Sequence, residues 1–142
     1  MVPLRFATSI ILMLLPSFVF AEGTVVRDAT YYSDSFEGSY TSNGEVFSQN
    51  TDSAAICDLP LGQWYYVQGA STGVVIRAND RPNCTRYPSL IDLSASAFQT
   101  LAPLSTGKVG GVGVTPIKIP TNLQKSWILP GMFQNLGILL DD

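Results

Sequence analysis

Length, composition and charge narrow the range of functions. The chain has 142 residues, with 8 Lys and Arg against 11 Asp and Glu, two cysteines and no histidine. Without histidine, Ser-His-Asp and Cys-His nucleophile systems and His-ligated zinc sites are excluded. The acidic balance disfavours a polyanionic partner, so we expect no binding to nucleic acid. Any acid/base catalysis would depend largely on carboxylates, which suits attack on an acetal such as a glycosidic bond.

Residues 1–21 have the pattern of a secretory signal peptide. Arg5 supplies a positive charge, residues 10–15 form an apolar run, Pro16 breaks that run, and small residues up to Ala21 suit a signal peptidase. The apolar run is shorter than the ~20 residues that span a membrane. We therefore expect export to the periplasm or the exterior without a membrane anchor, and an uncleaved N-terminal anchor is the alternative.

Residues 22–120 predict one mainly β domain. Residues 25–32 are rich in β-branched and aromatic residues and predict a strand, followed by a long polar loop. Residues 64–68 and 74–78 flank a turn-forming segment that contains two glycines, so together they predict a β-hairpin.

The remaining segments of this domain contain few helical signals. Residues 52–55 are a candidate single helical turn, and Ser94 is a candidate N-cap for a short helix that ends at Leu101. A last strand is predicted over residues 112–119, where Pro116 indicates an edge or a bulge. Many short strands with one or two short helices favour a small closed β-barrel, because closure removes exposed strand edges.

Residues 121–142 form a C-terminal tail in which Pro130, Gly131 and Gly137 interrupt the apolar residues. Three alternatives stay open for this tail: packing on the barrel, a partner-binding surface, or partial disorder. The rest of the chain is long enough for one domain with one core, and we expect a monomer.

Three acidic residues in polar, turn-rich segments are the candidate catalytic residues: Glu45, Asp80 and Asp92. A general acid needs a raised pKa, which burial or a neighbouring carboxylate can supply. We expect Asp80 to be that acid, because it ends an apolar strand and can be partly buried. Glu45 would be a second acid/base group or would orient the substrate. Asp92 is either catalytic or a cap of the helix that follows it.

Aromatic residues and Arg81 are the candidate substrate-binding groups. Tyr32, Phe36 and Tyr40 lie in the first strand and the loop after it, where flat rings can stack on sugar faces. We predict substrate contacts for Tyr32, Phe36 and Arg81. Packing in the core is the alternative for the rings, and an ion pair that holds the fold is the alternative for Arg81.

Cys57 and Cys84 are predicted to form a disulfide, because an exported chain folds in an oxidising environment. Closing a loop of this length would stabilise the fold by about 3–4 kcal/mol in the chain-entropy model. Two free thiols are the alternative. The sequence contains neither a metal-ligand cluster nor a phosphate-binding glycine loop, so we expect no metal and no cofactor.

Several segments stand out together when they are taken in chain order. They include Thr41-Ser42-Asn43-Gly44-Glu45, Leu59-Pro60-Leu61-Gly62, Asn79-Asp80-Arg81 and Ile91-Asp92-Leu93-Ser94. In this order they resemble the motifs of the rare lipoprotein A (RlpA-like) family. The resemblance implies a six-stranded double-psi β-barrel, the fold of expansins and barwin-like proteins. It also implies a lytic transglycosylase that cleaves peptidoglycan, with Glu45, Asp80 and Asp92 at the acidic positions of the family.

Two departures from the family pattern favour a second hypothesis. Ile56 stands where the family has the histidine of an Ala-Ala-His motif, and Ser48 stands where an acidic residue is common. The alternative is a non-catalytic, expansin-like barrel that binds cell-wall glycan or a protein partner, and a small inhibitor of barwin-like type is a third hypothesis. The family's Asn-Asp-Arg-Gly-Pro turn is also altered, to Asn79-Asp80-Arg81-Pro82-Asn83. Cys57 directly follows Ile56 and Cys84 directly follows this turn, so their disulfide would tie together two loops that border the substrate groove implied by the resemblance.

Overall fold

A computed structural model describes residues 23–120, which fold into a closed barrel of six β-strands. The strands are β1 (Val25–Tyr31), β2 (Ser53–Ile56), β3 (Trp64–Gln68), β4 (Gly73–Asp80), β5 (Leu90–Leu93) and β6 (Val109–Ile117). Around the barrel they follow the order β1-β5-β2-β4-β3-β6. One helix, α1 (Ala95–Leu101), and two short 3-10 turns (Asp34–Phe36 and Leu104–Thr106) complete this part of the chain. The predicted signal peptide and tail lie outside the described residues.

The barrel combines parallel and antiparallel strand pairs. β1 with β5 and β2 with β4 are parallel, whereas the other four pairs are antiparallel. β5 lies between β1 and β2, so the connection of residues 32–52 between those strands must cross the barrel surface. The predicted mainly β fold with a closed six-stranded barrel and short helices is confirmed.

Side chains that alternate along each strand fill the barrel interior. In β2, Ala54 and Ile56 point inward and are fully buried, whereas Ala55 faces outward and packs against Tyr32 and Phe47. Other members of the interior core are Tyr65, Val67, Ile76, Ala78, Ile91, Leu93, Phe98, Val112 and Val114. Burying each large aliphatic side chain contributes about 1.5–3 kcal/mol. Ile56, at the position of the family's histidine, is therefore a core residue.

Several local predictions are confirmed. β3 and β4 pair as the expected antiparallel hairpin. Ser94 caps α1, because its Oγ accepts a hydrogen bond from the Ala97 backbone N–H at 3.3 Å. Pro116 lies beyond Val114, the last residue of β6 that pairs with β1. At this edge position the missing N–H of proline removes no hydrogen bond to β1.

One local prediction is wrong, and one strand was not predicted. Residues 53–55 belong to β2 and not to a helical turn, because pairing with β4 and β5 overrides the helical preference of Ala54 and Ala55. β5 is only four residues long, too short for its alternation to stand out in the sequence. It nevertheless pairs with both β1 and β2.

The predicted disulfide between Cys57 and Cys84 is present. It joins the end of β2 to the loop between β4 and β5, across a sequence separation of 27 residues. Within residues 23–120, none of the helices has the length and apolar character needed to cross a membrane.

Candidate active site

Two of the predicted carboxylates lie in one row across the barrel. Ala55 of β2 pairs with Asp80 of β4 on one side and with Asp92 of β5 on the other, and Asp92 pairs with Thr30 of β1. We call these four residues the carboxylate row. Neighbouring strands are ~4.8 Å apart, so the Cα atoms of Asp80 and Asp92 are roughly 10 Å apart, with only the small side chain of Ala55 between them.

A register shift in β2 creates this row. Ala54 pairs with Ala78, but the next residue, Ala55, pairs with Asp80 and not with Asn79. The irregularity advances β4 by one residue relative to β2. Asp80, and not its amide neighbour, therefore shares the row with Asp92.

Asp80 is held in place by four hydrogen bonds. Its Oδ1 accepts from the Ser42 backbone N–H at 2.9 Å, the Ser42 hydroxyl at 2.6 Å and the Arg81 backbone N–H at 2.8 Å. Its Oδ2 accepts from the Tyr32 hydroxyl at 2.7 Å. Partial burial acts to raise the pKa of Asp80, but these hydrogen bonds outweigh it and hold the pKa below the usual aspartate value. The expected raised pKa at Asp80 is therefore wrong, and this carboxylate stays ionised.

Asp92 has the opposite electrostatic environment. Burial raises the pKa of Asp92, and the nearby charge of Asp80 raises it further. A single side-chain hydrogen bond, from the Thr30 hydroxyl at 2.9 Å, acts in the other direction and does not compensate. Asp92 therefore keeps its proton to a higher pH than Asp80. It does not cap α1, because Ser94 has that role.

Tyr32 is a buried residue that holds Asp80 in place through a hydrogen bond. Its side chain is only 7 % exposed, and its ring packs against Phe47 at a centroid distance of 4.3 Å. Burial, together with the hydrogen bond to Asp80, raises the pKa of the Tyr32 hydroxyl, so it remains a proton donor. The covered ring favours a role for Tyr32 in positioning Asp80 over stacking on a sugar. Its predicted substrate contact stays a prediction. Phe36 is half exposed and packs edge-on against Tyr32 at 5.6 Å.

Glu45 forms a separate, neutralised group next to the row. Its Oε1 accepts from the Arg77 Nε at 2.7 Å, and the Arg77 Nη2 lies at the same distance. Asn79 and Asn43 donate their side-chain amides to Glu45 at 3.2 and 3.1 Å. Burial acts to raise the pKa of Glu45, but the hydrogen bonds from Arg77 and Asn79 outweigh it and lower the pKa. The Arg77 guanidinium in turn lies over the Trp64 ring, 5.6 Å from its centroid.

Arg81 stabilises the fold through hydrogen bonds, and not through the ion pair that was the predicted alternative. Its Nη1 donates to the Ile56 carbonyl at the end of β2. Its backbone N–H donates to Asp80. Through these two bonds Arg81 fixes the start of the loop that Cys84 anchors, and its guanidinium is bound to the backbone of β2. The predicted substrate contact of Arg81 stays a prediction.

Several contacts of the carboxylates were not predicted, including those of Asn43 and Asn79 with Glu45. Ser42 binds Asp80, Thr30 binds Asp92 and Arg77 binds Glu45. Only strand alternation could have indicated Thr30, because it follows the inward-facing Ala29 and so faces outward. The contacts of Ser42 and Arg77 depend on how the 32–52 connection folds over the barrel. Among residues 23–120, no group of three or more Cys, Asp or Glu side chains is arranged to hold a metal ion.

Comparison with known proteins identifies the family. A profile of the family described as lytic transglycolase matches residues 24–119. The chain belongs to this family. It is an RlpA-like double-psi β-barrel domain, as the motifs implied.

Two relatives and one solved structure define its similarity further. A probable endolytic peptidoglycan transglycosylase RlpA of Synechocystis is 41% identical over 88 residues, which cover 61% of this chain and 27% of that protein. An uncharacterised Synechocystis protein is 39% identical over 87 residues, which cover 60% of this chain and 91% of that protein. The Streptomyces papain inhibitor has a TM-score of 0.57 and 27% identity, with coverage of 69% of this chain and 97% of the inhibitor. The chain thus spans much less than the length of the curated transglycosylase.

Proposed function

We propose that this RlpA-like domain acts on the cell wall as a lytic transglycosylase that cleaves peptidoglycan glycan strands. Membership of the lytic transglycolase family and similarity to the RlpA protein of Synechocystis support the proposal. The observation that carries it is the carboxylate row, in which Asp80 and Asp92 have pKa values shifted in opposite directions. A pair of acidic groups with pKa values pushed apart is the arrangement that acid/base catalysis requires.

Asp92 is the general acid in this proposal. In its protonated form it donates its proton to the leaving glycosidic oxygen while the bond from that oxygen to the anomeric carbon breaks. Positive charge then develops on the sugar ring. The ionised Asp80, roughly 10 Å away along the row, contributes a negative charge that stabilises the developing cation.

The second half of the reaction closes an anhydro ring. The 6-hydroxyl of the same sugar attacks the anomeric carbon, and its proton passes to the Asp92 carboxylate. Asp92 thereby regains the proton that it donated, and no water is consumed. Asp80 remains ionised throughout, because its four hydrogen bonds stabilise the charged form.

Export belongs to the same proposal, because peptidoglycan lies outside the cytoplasmic membrane. Residues 1–21 would direct the chain there as a signal peptide, and the domain would act in the periplasm or outside the cell as a monomer. The substrate is peptidoglycan or another cell-wall glycan, and no cofactor takes part.

A non-catalytic binding barrel is the second candidate. The hydrogen bonds that occupy the oxygens of Asp80 and Glu45 favour it, because such carboxylates can be purely structural. The similarity to a papain inhibitor covers almost all of that inhibitor's length. A protein is therefore the partner to test first under this second hypothesis.

Mass spectrometry of soluble products from purified peptidoglycan tests the proposal. We expect fragments with anhydro ends, which disappear with Asp92→Asn. Asp52→Asn is the matched control, because burial also raises the pKa of Asp52 but its contact is with Ser96 and not with the row. Fragments with reducing ends would mean hydrolysis instead. Co-sedimentation with peptidoglycan without any fragments would favour the binding barrel.

A further inference from the structure

We propose that Tyr40 and Val46 form a platform on which a sugar unit of the glycan stacks, beside the carboxylate row. The proposal rests on the proposed function, because it takes a cell-wall glycan as the ligand. Tyr40 is 81% exposed and Val46 is 59% exposed. They face each other in an antiparallel bridge. Directly opposed residues project from the same side of the strand pair, so the ring and the isopropyl group form one apolar surface.

This surface lies in an unusual segment, residues 36–47, which we call the arm. The large hydrophobic side chains exposed on the described part of the chain are Val26, Phe36, Tyr40, Val46 and Tyr87. Three of these five belong to the arm. A concentration of exposed apolar side chains in a short, otherwise polar segment indicates a binding surface more often than chance.

Hydrogen bonds make the arm rigid. Its two halves are joined by the bonds Gly38 N–H to Phe47 O, Phe47 N–H to Ser39 O and Thr41 N–H to Glu45 O, at 2.8 to 3.0 Å. Inside the arm, the Phe47 ring packs against Tyr32 and Ala55. A ligand that binds to such a preformed surface does not have to order it, so less free energy is lost on binding.

The arm is joined directly to the carboxylate row. At its tip, Ser42 donates two hydrogen bonds to Asp80, and the Asn43 backbone N–H donates to the Asn79 carbonyl. Tyr40 is two residues from Ser42, a separation of at most about 7 Å along an extended chain. The platform therefore lies within a few sugar units of the carboxylates.

The chemistry of the arm favours a sugar over other ligands. The arm contains Glu37 and Glu45 and no Lys or Arg, which disfavours a polyanion such as nucleic acid. Ser39, Ser42 and Asn43 supply hydroxyl and amide groups in the same short segment as the apolar platform. A pyranose ring matches this combination, because its C–H face is apolar and its edge carries hydroxyls. A stable protein partner usually needs about 800 Å² on each side, much more than two side chains offer.

Equilibrium binding of soluble, peptide-stripped glycan strands tests the platform. The full chain carrying Asp92→Asn is used as the reference, so that no cleavage occurs during titration calorimetry. Adding Tyr40→Ala should weaken binding about tenfold, the change that about 1.4 kcal/mol produces, whereas Tyr40→Phe should retain binding. Tyr87→Ala is the matched control, because Tyr87 is also an exposed tyrosine but lies in the loop between β4 and β5, and it should bind like the reference.

The outcomes separate this proposal from the proposed function. Without Asp92→Asn, Tyr40→Ala should raise KM for cleavage and leave kcat near the wild-type value, which would support the platform. Glycan binding that is unchanged by Tyr40→Ala would overturn the platform and leave cleavage by the row intact. If Tyr40→Ala left glycan binding unchanged but lowered the thermal unfolding midpoint, Tyr40 would have a role in packing against another part of the chain and not in binding. Inhibition of papain that Tyr40→Ala abolishes, without any glycan binding, would assign the surface to a protein partner and overturn both proposals.

Discussion

Replacing Tyr32 with phenylalanine removes one hydroxyl from the support of Asp80 and nothing else. The ring keeps its packing against Phe47 and Phe36, so no cavity forms. The lost bond, 2.7 Å to the Asp80 Oδ2, joins a neutral donor to a charged acceptor. Hydrogen bonds to charged groups contribute about 1.5–3 kcal/mol. We expect a loss near the lower value at pH 7, because Asp80 is only partly buried and keeps three other donors.

The direction of the pKa shift at Asp80 determines how the stability loss of Tyr32→Phe changes with pH. Hydrogen bonds lower the pKa of Asp80 in the folded state. The stabilisation from Asp80 is therefore complete above the ordinary aspartate pKa, about 3.9, and is lost as the pH falls through the folded-state pKa. The difference between Tyr32→Phe and wild type should be largest at neutral pH. It should shrink in the acid range, where the carboxylate becomes protonated in both proteins.

Urea unfolding at several pH values measures this difference, and Tyr31→Phe is the matched control. The Tyr31 hydroxyl donates to the Leu104 carbonyl at 3.1 Å, so its acceptor is neutral. Its loss should cost about 0.5–1.5 kcal/mol, with no change between neutral and acid pH. If the two variants showed equal and pH-independent losses, the charged hydrogen bond between Tyr32 and Asp80 would be refuted.

Three further predictions concern the row and its surroundings. Asp92→Asn should raise the thermal unfolding midpoint at pH 7, because burial raises the pKa of Asp92 and the ionised carboxylate therefore destabilises the folded state. This gain should vanish at pH values below that pKa, where Asp92 is protonated. In peptidoglycan cleavage assays, the rate should fall as the pH rises through the pKa of Asp92, and Asp80→Asn should move this fall to lower pH by removing a neighbouring charge. Replacing Cys57 and Cys84 together with serine should cost about 3–4 kcal/mol in urea unfolding, and an unchanged midpoint would contradict the prediction.

The fold class was predictable from the sequence, because its strongest signals are local. Turn residues and strand runs depend on a few neighbours along the chain, and they favoured a small closed barrel. The order of the motifs added the double-psi topology through the resemblance to the family. The N-cap at Ser94 was predictable for the same reason. β2 was not, because Ala54 and Ala55 prefer a helix and become a strand only through pairing with β4 and β5.

The electrostatics of the site could not be predicted in the same way. Whether Asp80 or Asn79 lies opposite Ala55 depends on a single register shift between two strands. The sign of the pKa shift at Asp80 then depends on Ser42 and Tyr32, which reach it from residues that lie 38 and 48 positions earlier in the chain. Partial burial alone suggested a raised pKa. The hydrogen bonds reverse that effect, and no property of the segment around Asp80 indicates them.

The two departures from the family pattern have less weight in the folded chain than in the sequence. Ile56, at the position of the family's histidine, is fully buried in the barrel interior, on the opposite face of β2 from Ala55 and the carboxylate row. Ser48 lies in a turn where its hydroxyl accepts from the Asn50 backbone N–H, and it has no bond to either aspartate. Neither Ile56 nor Ser48 is among the residues that hydrogen-bond to Asp80 or Asp92. We therefore expect the protonation of Asp92 in the presence of glycan to distinguish cleavage from binding, because burial and the charge of Asp80 raise the pKa of this group.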